Sequence, residues 1–504
     1  MIKLGKVFFV ILVNLLIVFQ LSAEATGKDT IVIAVPLDLK SADPYMQSAI
    51  TWDMAPLWSD RLLGRDLRTG EFKPHLAESW KQVDNLTLEF KLKRGIKFHN
   101  GEPFDAKAVK VTLEWYADPS SKSFMQTYLK WINKVEIIDN YTVRIISNNP
   151  APLAILVLAD AAPIYPPEYL KGVGPEKFGN EPIGTGPYKF VRWKKGSEVV
   201  FTKNEEYFGG LKGNPRVKNF VLRIIPEEAT RVAELMSGGV HITYDLSPEQ
   251  IFFLQKMKDI KIAKVRECRT YFLYMDAVGK TGSNPFQKIK VRQAVAHAID
   301  TGAIVQNITL GLYPETKSVI SPVAFGYETN VKQYPYDPEK ARSLLSEAGF
   351  PKGFEIDLYG HREKSTAEAI MGYLNKVGIK VNLKWYGGQW PALQEVIKAG
   401  KVPFGFATWW TSIRDADRVL SLWFTSKGDL SYCSLPDLDK VILEAGSIVD
   451  QKRRKELLGK AQQYIADNAF AIPIMGGSRI FGFNANLDFN PTDDEDAWFA
   501  AGWK

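Results

Sequence analysis

The chain has 504 residues, 45% of them hydrophobic and 24% charged, with a formal net charge of +7. That length exceeds what one hydrophobic core supports, so two or three domains are expected. The charge is too dilute for a nucleic-acid groove, and two cysteines cannot make a structural zinc site alone. Lys3 and Lys6 precede an apolar run from Val7 to Leu21, and Ala23-Glu24-Ala25 offers small residues to a signal peptidase. This reads as a secretory signal peptide over residues 1–25. An uncleaved anchor is the alternative, but the run falls short of the roughly 20 residues a spanning helix needs. No cysteine lies near the cleavage point, so no lipoprotein is expected. The mature chain, residues 26–504, is expected free in a periplasm or outside the cell. In that oxidising setting Cys268 and Cys433 either form one disulfide or stay as buried thiols.

Thr30–Val35 is a short apolar run that predicts a buried strand. Leu86, Leu88, Phe90 and Leu92 then alternate with Thr87, Glu89 and Lys91, the period of a half-buried strand. Gly95 and Asn100-Gly101 supply turns, and Asp105 can cap a helix carrying Val109, Leu113 and Tyr116 on one stripe. A further strand is expected around Thr142–Ile146, and Gly184–Pro187 and Gly196 frame two more between 183 and 201. Residues 290–300 predict an amphipathic helix with Val291, Val295 and Ala298 on one face. Asp337 as N-cap, Pro338 at the first helical position and Gly349 after the end bracket a helix over 337–348. Strand 354–359, helix 366–377 and strand 379–385 make a βαβ unit, which requires parallel sheet. The region 451–474 predicts a helix and then a strand. The class is mixed α/β.

Four ordered strings carry a resemblance: LAESW (76–80) with KFHNGEPF (97–104), IGTGPYKF (183–190), VRQAVAHAID (291–300) and YDPEKARSLLSEAGF (336–350). Together they resemble the extracellular solute-binding proteins of family 5, the dipeptide-, oligopeptide- and nickel-binding type that serves ABC importers. The resemblance spans about residues 30–480. It implies a two-lobe periplasmic binding protein fold with an extra domain, its mixed sheets joined by a two-strand hinge. It implies domain I at 27–62, 185–268 and 479–504, domain II at 63–184 and domain III at 269–478, with the hinge near Cys268 and Arg479. It implies a small-molecule or peptide ligand, ABC permease subunits as partners, no cofactor, no catalysis and a monomer in the periplasm.

The residues themselves carry no catalytic signature: HExxH, GxSxG and cysteine clusters are absent. Gly279-Lys280-Thr281 ends like a phosphate-binding loop, but Tyr274 stands where the first glycine is required. Five dispersed histidines give no metal spacing. The candidate ligand segment is 404–424. On a strand, Phe404, Phe406, Thr408 and Trp410 face one side, and Ala407 and Trp409 the other, so one tryptophan packs inward and the other can line a cleft. By resemblance to the dipeptide-binding protein, Trp409 takes a pocket tryptophan position, Trp390 a second, and Arg414-Asp415-Ala416-Asp417 that of an acidic string. The aspartate that pins the ligand's ammonium falls on Ser412. Serine cannot compensate a buried ammonium, so Asp415 is the substitute from a bent loop, or the ligand lacks a free amine: an oligosaccharide, an opine-like conjugate or an organic acid. Arg362 and Arg414 can hold a carboxylate through paired hydrogen bonds. Trp52 completes the candidate set.

Overall fold

The computed structural model describes residues 28–43, 49–66, 70–121, 123, 125–410, 413–491 and 501–504. The segment 1–25 and Ser412 lie outside them, as does the side chain of Trp52. One large sheet organises the molecule. Its strands are β1 (Thr30–Val35), β2 (Tyr188–Lys194), β3 (Glu198–Lys203), β4 (Asn219–Ile224), β5 (Ile242–Tyr244), β6 (Ile260–Met275), β7 (Phe354–Gly360), β8 (Ile379–Trp385), β9 (Phe404–Trp410) and β10 (Ala471–Asn484). Their spatial order is β8-β7-β9-β6-β10-β5-β1-β4-β3-β2. The β7–β8 pair is parallel, as the strand–helix–strand reading requires, and β1 runs parallel to β4 and β5. The central β6–β10 pair is antiparallel.

Alternation places the cores. On β1, Ile31, Ile33 and Val35 enter one cluster, and Val32 and Ala34 enter another on the opposite face. On β6, Phe272 and Tyr274 join one lobe-two core, while Tyr271, Leu273 and Met275 join a second. Each such aliphatic or aromatic side chain contributes roughly 1.5–3 kcal/mol when withdrawn from water. Strands β6 and β10 are the longest in the sheet and run through both halves: β10 pairs with β5 at 481–483, and β6 pairs with β9 at 269–275. They are the two-strand hinge between two lobes.

A separate antiparallel sheet runs in the order Ala77–Asp84, Thr87–Leu92, Thr142–Ser147, Ile132–Asp139. Leu88, Phe90 and Leu92 are buried as their period predicts, but Leu86 precedes the strand and is exposed. The Asp105 carboxylate accepts from the amides of Lys107 (2.9 Å) and Ala108 (3.1 Å), starting helix Ala106–Ala117, which buries Val109, Leu113 and Tyr116. Asp337 caps Pro338–Glu347 in the same way, and Gly349 takes a left-handed φ of 88° just beyond its end. The helix expected over 366–377 forms at Lys364–Asn375, and the C-terminal strand continues to Asn484 instead of ending near Met475.

The phosphate-loop look-alike has its own occupant. Asp276 Oδ1 accepts from the amides of Val278, Gly279 and Lys280 at 3.3, 2.8 and 3.0 Å. Asp276 Oδ2 accepts from the Thr281 amide (2.8 Å) and hydroxyl (2.7 Å) and from Asn284 Nδ2 (3.0 Å). The cradle of amides wraps a carboxylate of the chain itself. The disulfide alternative is corrected: Cys268 and Cys433 are buried thiols of the same lobe-two core, with no bridge formed. Burial pushes the Cys433 thiol up to about 12, keeping it protonated and inert.

Candidate functional site

The lobes meet at the hinge strands, and a chain of charges crosses them there. The β6–β10 register shifts between Glu267 and Thr270, so a bulge interrupts the ladder. Gly477 sits opposite it. A Cβ at that position would lie 2.4 Å from Arg269 Cβ, so no larger residue fits. Arg479 Nε donates to Glu267 Oε1 at 3.1 Å and Nη1 donates to Asp53 Oδ1 at 2.9 Å. Arg269 Nε donates to Glu267 Oε2 at 2.8 Å. Tyr244 lays its ring 5.1 Å from the Arg479 guanidinium and donates its hydroxyl to Asp53 Oδ2 at 3.3 Å. Burial pushes the Asp53 carboxyl up to about 6 against the pull of Arg479. Burial acts upward on Glu267 too, but Arg269 and Arg479 outweigh it and hold that carboxyl at about 2.

Strand β9 supplies one wall. As alternation predicts, Trp409 and Trp410 point to opposite sides. Trp409 packs in lobe two, with ring centroids 6.2 Å from Trp390 and 6.1 Å from Trp423. Trp410 packs against the cluster that contains the lobe-one core. Trp390 also lies 5.2 Å from His361, which is buried. Burial, then Arg362 and Arg269, push His361 down to about 3. Arg362 follows β7 and reaches across the junction: its Nη2 stands 3.8 Å from Oδ2 of Asp245, which follows β5 in the other lobe. The lobes also touch where the Arg418 guanidinium lies 5.3 Å from the Tyr128 ring.

The acidic string is structural. Arg454, fully buried, donates from Nη1 to Asp415 Oδ2 (2.6 Å) and from Nη2 to Asp415 Oδ1 (2.7 Å). Asp415 Oδ1 also accepts from the Asp417 amide at 2.9 Å. Both Asp415 oxygens are therefore engaged within the lobe. Asp417 lies 3.9 Å from Arg454, and burial, then Asp415, raise its carboxyl. Arg414 is buried, and its carbonyl accepts from the Phe325 amide at 2.9 Å. Trp52 belongs to helix Ala49–Trp58, which also carries Asp53.

The model of the bacterial extracellular solute-binding proteins, family 5, matches residues 71–431. The chain belongs to that family. The glutathione-binding protein GsiB of Escherichia coli (strain K12) is 30% identical over 483 residues, 92% of each chain. Heme-binding protein A of Haemophilus influenzae is 30% identical over 440 residues, 80% of this chain and 79% of its own. The structure of the periplasmic binding protein DppA from Helicobacter pylori, in complex with the peptide STSA, superposes with a TM-score of 0.79 at 25% identity, covering 94% of this chain and 98% of that one. Family 5 members bind solutes for ABC importers, and this chain is such an extracytoplasmic solute-binding protein. No helix among the described residues is long and apolar enough to cross a membrane.

Of the residues expected at the site, Trp390 and Trp409 touch in lobe two, and Arg362 follows His361, which lies beside Trp390; the sequence did not single out Asp53, Asp245, Glu267 or Arg269. One signal existed. Glu267 and Arg269 stand at i and i+2 where β6 passes from a half with exposed Lys261, Lys264 and Arg266 into a buried half, and charges there need partners from another element.

Removing one partner of the buried Asp415–Arg454 pair leaves an uncompensated charge. Arg454→Ala is expected to cost about 3–5 kcal/mol in denaturant unfolding; a loss below about 1 kcal/mol, the size of an exposed pair, contradicts its buried role. A second expectation concerns pH. Burial holds His99 and His241 at about 4, and His361 lies at about 3. The unfolded chain takes up those protons below roughly 6.5 and the folded chain does not, so their stabilisation is present above that pH and falls toward 4. Buried His75, also pushed down by burial, adds to the three, while Asp53, raised to about 6, and the carboxyls of Asp417 and Glu363, also raised by burial, act in the opposite sense. The melting temperature is expected to drop between pH 7 and pH 5; a level or rising value contradicts the neutral burial.

Proposed function

We propose that this protein captures a small organic or peptide-like solute between its lobes and hands it to a membrane permease pair of an ABC importer. The observation that carries this reading is the junction itself. Arg362 and Trp410 come from lobe two and meet Asp245 and the lobe-one core across the hinge strands. A solute held there touches both lobes, so it binds the closed form better and shifts the population toward it. Trp410 furnishes an apolar wall, backed by the lobe-two packing of Trp409 and Trp390, and Arg362 the cationic group for a carboxylate. No chemistry is done on the solute.

The commitment of Asp415 to Arg454 supports a solute other than a simple dipeptide, since a buried ammonium at the Ser412 position lacks a carboxylate there. The crossing of β6 and β10 near residues 268 and 479 supports domains at 27–62, 185–268 and 479–504, at 63–184, and at 269–478. The mature protein begins after residue 25, acts as a monomer in the periplasm, and meets the permease with both lobes closed.

Native mass spectrometry of the freshly purified protein is expected to find a bound organic solute. Trp410→Ala is expected to abolish that occupancy with little change in stability, and Trp409→Ala to lower stability by about 3 kcal/mol through loss of lobe-two packing. Equal effects of the two substitutions on both properties contradict the two-sided strand. Titration calorimetry with a dipeptide panel is expected to give no submicromolar affinity; one such affinity overturns the solute class.

A further inference from the structure

We propose that Asp245 and Arg362 form a two-lobe clamp for a solute headgroup that carries an ammonium and a carboxylate on the same carbon. This deepens the reading above and rests on it: Arg362 takes the carboxylate, and Asp245, from the opposite lobe, takes the ammonium.

The two side chains face each other at 3.8 Å and are 39% and 40% exposed. Their neighbours are closed. Arg479–Asp53, Arg479–Glu267 and Arg269–Glu267 stand at 2.8–3.1 Å with side chains at most 13% exposed. Glu363 accepts from the Tyr313 hydroxyl at 2.9 Å. An open pair at such a distance is weak, so it exchanges partners at little cost. A headgroup with both charges on one carbon presents the same two charges reversed, and replaces one loose contact by two charge-assisted ones. A linear dipeptide places its charges at opposite ends and cannot satisfy both residues at this spacing.

The backbone holds the clamp open-faced. Asp245 has a φ of +54°, in the left-handed region that costs a residue with a side chain. Its carbonyl accepts from Arg231 Nη2 at 3.1 Å, and buried Arg231 is itself anchored by the carbonyls of Ile225 (3.0 Å) and Pro226 (2.7 Å). On the facing lobe Glu363, next to Arg362, has a φ of +58°. Both sides of the junction thus keep a left-handed residue at the point where the charges meet. Asp245 also differs from Asp415, whose two oxygens Arg454 holds within one lobe.

The experiment is titration calorimetry of the full mature protein, wild type and Asp245→Asn, with glutathione and with N-acetylglutathione. Glutathione carries ammonium and carboxylate on one carbon of its γ-glutamyl end, and acetylation removes only the ammonium charge. Asparagine tolerates a left-handed backbone, so the variant keeps the fold, which an unchanged melting temperature checks. Wild type is expected to bind glutathione. Asp245→Asn and acetylation are each expected to weaken binding at least tenfold, and the variant is expected to bind the acetylated compound within twofold of wild type. Glutathione binding unchanged by Asp245→Asn, an equal further loss with the acetylated compound, or no wild-type binding of glutathione at millimolar concentration overturns the clamp. If native mass spectrometry then still finds another solute in the wild-type protein, the capture reading stands and only the clamp falls; if it finds none, the capture reading falls as well.

Discussion

Everything in this molecule depends on how charge is carried across two hinge strands. Asp53, Arg479 and Glu267, all withdrawn from water, and the half-buried Arg269 form one line of ion pairs at the point where β6 and β10 pass from one lobe to the other. Stripping ions of water costs several kcal/mol each, and only close geometry with further hydrogen bonds offsets it. The bulge after Glu267 and the bare Cα of Gly477 provide that geometry, because they let Arg269 lie flat against the partner strand. The network ties both hinge strands to helix Ala49–Trp58 of lobe one at the point where they leave for the other lobe.

The contacts outside the line differ in kind. Pairs within a lobe, such as Asp415–Arg454, are short and buried and act as rivets. The pair between lobes, Arg362–Asp245, is long and half-exposed. A binding protein needs both. Rivets keep each lobe a rigid body, and weak, exchangeable contacts between lobes leave the open and closed forms close in free energy, so that a solute of modest differential affinity decides between them.

Much of the scaffold was legible in sequence because its signals are local. Asp105 and Asp337 cap the helices they precede, the alternation at 87–92 and 404–410 gives the correct faces, and 354–385 reads as a parallel βαβ unit. Opposite facing of Trp409 and Trp410 follows from pleat alone. What escaped is nonlocal. Asp245 and Arg362 are far apart in the chain and meet across the junction between the lobes. Asp415 reads as a ligand residue until Arg454, a full helix away, is seen to take both its oxygens. Leu86 fits the strand period yet stays exposed because the turn before Thr87 ends the ladder, and the two cysteines lie in one core without bonding.

Capture of a solute by lobe closure is tested most directly by small-angle X-ray scattering of protein stripped of its solute, before and after the solute extracted from the same preparation is returned. The account predicts a smaller radius of gyration on reloading, as the open population converts to a closed form. A radius that does not change while the solute rebinds would contradict closure as the means of capture.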